Sequence, residues 1–88
     1  MKFKKGFVLR TIGGENTLVG EGIEQIDFNK LIILNQTAVI IWNNLKDKDF
    51  STEDAVNVLL ENYEVEREVA EKDVTELFRQ LSKAGILE

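Results

Sequence analysis

The chain has 88 residues, 43% of them hydrophobic and 31% charged, with eleven Lys and Arg against sixteen Asp and Glu and no Cys, His or Pro. Such a length builds one domain that buries roughly 60–65% of its unfolded surface. The missing Cys and His exclude disulfides, thiolate zinc sites and the usual nucleophile–base pairs. The net charge of −5 weighs against a phosphate-binding surface and toward protein or peptide partners.

The single domain, residues 1–88, divides into a strand-rich front and a helix-rich back, the order of an α+β fold. Phe7–Ile12 and Glu15–Val19 flank Gly13-Gly14. Two glycines between β-rich runs predict a hairpin whose turn needs φ > 0. That loop sets Leu9 opposite Leu18 and Val8 opposite Val19, two apolar cross-strand pairs.

Gly20 to Lys30 reads as an irregular connection pinned by Ile23, Ile26 and Phe28. Leu31-Ile32-Ile33-Leu34 is apolar at every position. A strand of this kind is covered on both faces or offers one to a partner.

The first helix is predicted over Gln36–Leu45, with Asn35 as N-cap and Ala38, Ile41, Trp42 and Leu45 as its core stripe. Ser51 caps the second helix, and Asp54 supplies a short-armed capping box. Ala55, Val58, Leu59 and Tyr63 form its apolar face. The third helix is predicted over Arg67–Ala84. Ala70, Val74, Leu77, Leu81 and Ala84 make its stripe, with Phe78 on one edge and Asp73 and Gln80 on the other. Periodicity does not say which edge faces what. Gly85 suits the C′ position, with Ile86 as the apolar contact of a Schellman cap.

The longest apolar run is short of the roughly 20 residues that span a bilayer. The basic start, Met1-Lys2-Phe3-Lys4-Lys5, lacks the apolar stretch of a signal peptide. The expectation is a cytoplasmic protein without membrane contact.

A set of marks runs through the chain in order. They are Gly6-Phe7-Val8-Leu9-Arg10, Phe28-Asn29, Leu34-Asn35-Gln36-Thr37-Ala38 with Trp42, Thr52-Glu53-Asp54-Ala55, Tyr63-Glu64-Val65, and Asp73-Val74 through Gly85-Ile86-Leu87. In this order and spacing the sequence resembles the PqqD-like family. The resemblance implies a winged-helix-like fold, a three-stranded antiparallel sheet followed by three helices. It also implies a non-catalytic, cofactor-free peptide chaperone. Such a protein holds the leader of a ribosomally made precursor peptide as an added strand and presents it to a modifying enzyme, often a radical-SAM protein. Transferred here, the groove lies between Leu31, Ile32, Ile33 and Leu34 on the strand and Asp73, Leu77, Phe78, Arg79 and Gln80 on the third helix. Lys30, where many relatives carry glycine, and Gln36, which replaces a common acidic residue, depart from the pattern beside that groove.

The physics agrees with the transfer. An edge strand offers unpaired N–H and C=O groups, and neither Pro nor charge obstructs Leu31–Leu34. The rival reading of a winged helix is DNA binding. From Glu66 to Ala84, however, Arg67, Lys72, Arg79 and Lys83 face five carboxylates, so the helix would be repelled by a duplex. A dimerisation or adaptor module is the third reading, since an exposed edge also pairs with its own twin to give a homodimer. Lys2, Lys4 and Lys5 read as a solvated terminus, or as an attractor for an acidic leader. No residues suggest a catalytic or metal site.

Overall fold

In the computed structural model, which describes residues 1–20 and 32–88, three strands precede three helices: β1 Phe7–Ile12, β2 Glu15–Gly20, β3 Ile32–Leu34, α1 Gln36–Leu45, α2 Thr52–Asn62 and α3 Arg67–Lys83. The irregular connection, with Ile23, Ile26, Phe28 and Lys30, and the first residue of the expected third strand, Leu31, lie outside the described residues.

The sheet is antiparallel in the order β1-β2-β3. Gly13 and Gly14 turn the hairpin with φ of 59° and 81°, the left-handed pair that a two-residue turn demands. The turn fixes the register, which pairs Leu9 with Leu18 and Val8 with Val19 as the apolar pattern requires. Because side chains alternate, the pairing creates two cross-strand rows. Leu9, Leu18 and Ile32 form the row that packs on the core, with Leu18 fully buried at its centre. Arg10, Thr17 and Ile33 form the neighbouring row on the other face.

One residue joins sheet to helices. β3 ends at Leu34, and Asn35 is already the N-cap of α1, its side chain accepting from the Ala38 amide and the Thr37 hydroxyl at 2.9 Å each. The next cap is a reciprocal box. The Asp54 amide donates to Ser51 Oγ at 3.1 Å, and the Ser51 amide donates to Asp54 Oδ2 at 2.9 Å. Glu66 opens α3 without a side-chain cap. Instead Arg67 ties the start of α3 to α2. It bonds Glu53 across the two helices and Glu71 one turn on at 2.9 Å, and these carboxylates, Glu53 foremost, raise its pKa above the ordinary value.

The helices bury a common core of Ala38, Ile41, Trp42, Leu45, Ala55, Val56, Leu59, Ala70, Val74 and Leu81. An aromatic cluster closes one end. Phe3 stacks on Trp42 with centroids 4.5 Å apart and meets Phe50 at 4.7 Å, while Phe50 meets Phe78 at 5.7 Å. Offset and tilted aromatic pairs at these separations each add about 0.5–1.5 kcal/mol beyond burial. The basic start is therefore anchored rather than loose. Phe3 forms a bridge with Leu87, the Lys4 amide donates to the Ile86 carbonyl at 2.6 Å, and the Phe50 amide donates to the Met1 carbonyl at 2.7 Å.

α3 ends as a complete Schellman motif. The Gly85 amide donates to the Ser82 carbonyl at 3.1 Å and the Ile86 amide to the Leu81 carbonyl at 2.9 Å, with Ile86 and Leu81 both buried. Gly85 has a φ of 75°, and a methyl added there meets nothing within 4 Å. A Gly85→Ala variant thus isolates backbone strain from steric clash. Urea denaturation is expected to show a loss of about 1–2 kcal/mol, with Gly85→Asn losing less because Asn visits the left-handed region more readily.

Candidate functional site

β3 stands at one edge of the sheet. Its inner side pairs with β2 from Asn16 to Leu18, and among the described residues no strand pairs with its outer side. Alternation along so short a strand separates its side chains. Leu34 is buried, Ile32 is half-buried against the core, and Ile33 is 60% exposed, the most exposed large apolar side chain among the described residues. The strand therefore covers the core with one face and presents Ile33 on the other.

Beside this strand runs a groove of about 230 Å³ walled by β3, the start of α1 and one edge of α3. Ile33 and Leu34 supply the strand wall, and Asn35, Thr37, Ala38 and Ile41 the α1 side. Asp73, Glu76, Leu77 and Gln80 supply the α3 wall. Ala38 is nearly buried and carries only a methyl group, so the floor stays low where a longer side chain would fill it. The α3 residues fall at i, i+3, i+4 and i+7, one stripe over two turns, or roughly 10 Å of helix. The long axis of the depression accordingly follows α3.

The structure brings together most of the expected residues. Ile33, Leu34, Asp73, Leu77 and Gln80 line one groove. Ile32 packs on the core from the same face of the strand as Leu34 and is not part of the lining. Phe78 does not reach the groove: it sits on the opposite edge of α3, buried against Phe50. Arg79 is also outside the lining and clasps Glu76 at 2.8 and 2.9 Å. Leu31 lies outside the described residues. Sequence reasoning missed Asn35, Thr37, Ala38, Ile41 and Glu76. Asp73, Glu76 and Gln80 share the edge opposite Phe78, a signal that was present in the periodicity. Nothing in the spacing said that this edge, and not the other, would meet the strand.

The groove is polarised. Among the described residues its charged lining is Asp73 and Glu76, with no Lys or Arg. Arg79 already engages Glu76, whereas Asp73 has no hydrogen-bond or ion-pair partner among the described residues. Two of the four cations on α3, Arg67 and Arg79, are bound to carboxylates, which deprives the helix of charge for a nucleic-acid backbone.

A second, wider concavity of about 1030 Å³ opens beside β1, at the other edge of the sheet. Lys2, Lys4, Lys5, Lys46 and Lys48 line it together with Asp47, Asp49 and Glu88. Met1 closes its rim by donating from its ammonium group to Asp49 Oδ1 at 2.9 Å and to the Phe50 carbonyl at 2.8 Å. This bond holds the Asp49 carboxyl below its ordinary pKa. Among the described residues no group of three or more carboxylates is placed to hold a metal, and no helix is long and apolar enough to cross a membrane.

Fold and groove together define a small α+β module with one open strand edge facing a helix. The chain matches the family described as coenzyme PQQ synthesis protein D (PqqD) over residues 10–87, and it belongs to that family. Among solved structures, the fold matches TbiB1 in complex with the TbiA(beta) leader peptide, with a TM-score of 0.72, 24% identity, and coverage of 100% of this chain and 95% of the other. No curated protein matches the chain.

The two ends of the strand wall respond differently to substitution. Ile33→Ser, at a largely exposed position, is expected to change unfolding free energy by less than about 1 kcal/mol. Leu34→Ala, which empties a core position next to the cap, is expected to cost about 2–5 kcal/mol. Paired urea melts of the two variants check the assignment of faces.

Proposed function

We propose that this protein is a non-catalytic peptide-binding module. It takes the leader segment of a ribosomally made precursor peptide as an added strand along β3, in the groove against α3, and holds it for a modifying enzyme. The observation that carries this reading is the outer edge of β3, unpaired among the described residues, beside a groove with an apolar floor. An incoming backbone gains main-chain hydrogen bonds at such an edge, while the groove sorts its side chains. Membership in the PqqD family and the likeness to a fold that holds a leader peptide in TbiB1 both support it. A sequence without His or Cys fits a role in binding rather than chemistry. The partner enzyme of this reading is a radical-SAM or other peptide-modifying protein, and its compartment is the cytoplasm.

The β1 edge is the other open border of the sheet. Its concavity is lined by lysines and has no helix edge offering an apolar stripe, so it is the weaker candidate for an extended peptide. Titration of ¹⁵N-labelled protein with the leader of a precursor peptide encoded beside its gene separates the two. Amide shifts are expected at Ile32–Leu34 and along Asp73–Gln80. Shifts confined to β1 and the lysine-lined concavity would remove the groove from the reading. Ile33→Ser is expected to weaken the peptide at least tenfold, by removing the apolar side chain that faces it.

A further inference from the structure

We infer that Asp73 sets the sequence preference of the groove, selecting extended peptides that carry a Lys or Arg two residues from an aliphatic side chain. The inference rests on the groove being a peptide site and adds the chemistry of its occupant.

Three features lead there. The groove offers two kinds of wall on the same stripe of α3: Leu77, continuous with Ile33, Leu34 and Ala38, is apolar, and Asp73, one turn before it, is a carboxylate. Asp73 is unengaged among the described residues, while Arg79 takes up Glu76, so the open valence for a cation is at Asp73. The spacing also matches. One helical turn rises about 5.4 Å, and side chains on one face of a strand recur every two residues, about 6.6 Å. A strand lying along α3 that seats an aliphatic residue at Leu77 therefore brings the residue two positions away to Asp73.

The charge distribution over the molecule reinforces this. Five of the seven lysines among the described residues line the concavity at the opposite sheet edge, and none of the seven lines the groove. A cationic peptide is drawn to the β3 edge and repelled from the β1 edge, while an acidic one is drawn the other way. Complementary charge of this kind contributes orientation and discrimination more than raw affinity. Asp73 is exposed, so the pair is worth a few-fold in binding, and salt weakens it.

The test is selection of a phage-displayed library of random dodecapeptides on the full chain at low ionic strength. Peptides enriched on the native protein are expected to share an aliphatic residue two positions from Lys or Arg. Synthetic copies should bind Asp73→Asn about threefold to fivefold more weakly. Selection on Asp73→Lys should replace the cation with Asp or Glu at the same position. Enriched peptides without the cation, or the same preference on Asp73→Lys, would overturn the inference. Ile33→Ser distinguishes that failure from a deeper one. If it still lowers capture, the groove remains the peptide site and only the charge rule falls. If capture ignores both substitutions, the groove itself is not the site. Circular dichroism of each variant confirms that α3 is intact.

Discussion

A backbone amide or carbonyl must find a partner, and among the described residues β3 satisfies that demand on one side only. Its described residues, Ile32–Leu34, pair with β2 over Asn16–Leu18. It is held by what flanks it. Leu34 is sunk in the core, and Asn35 locks the next peptide groups into the cap of α1 without an intervening loop. The consequence is a strand whose position is fixed by its side chains and its junction, leaving its outer edge free to pair elsewhere.

A free edge becomes a selective site only when something stands at a fixed distance from it, and here that is α3. α3 is clamped from behind, by its stripe packed on α2, by Arg67 bridging Glu53 and Glu71, and by Phe78 against Phe50. Its last turn is bound through the Schellman cap to the tail that pairs with Phe3. Leu77 is shared between core and groove, whereas Asp73 and Gln80 at the rim remain exposed. On the proposed reading, that division lets the rim vary in chemistry without loss of the fold.

The hairpin register, the first two caps and the helix stripes were legible because each rests on local rules: paired glycines with φ > 0, short polar side chains before an apolar run, and a 3.6-residue period. The bounds expected for α1 and α3 hold to within one residue, and α2 begins directly after its expected cap, Ser51. The orientation of α3 was not legible. Leu77 belongs to both core and groove, and its two flanking edges, Phe78 on one side and Asp73 with Gln80 on the other, are equally compatible with the period. Packing decides between them, because an aromatic ring gains more from Phe50 than from water. The roles of Phe3 and Phe50 were also hidden. Each is a lone aromatic in a polar stretch, and only the tertiary meeting with Trp42 makes them core residues. With Phe3 buried, the lysines around it become the lining of a surface cleft rather than a loose tail.

An open strand edge beside a groove has a further consequence for recognition. A long, flat, apolar edge would pair with copies of itself and aggregate. On the proposed reading, selectivity comes from side chains seated in the groove, where Ala38 and Leu77 are apolar, Ile33 stands on the strand wall and Asp73 is a charge at one end. A backbone bond is blind to sequence, whereas a side-chain pocket is not. On the proposed reading, discrimination between peptides with similar backbones therefore falls to the side chains of the groove and not to the strand edge.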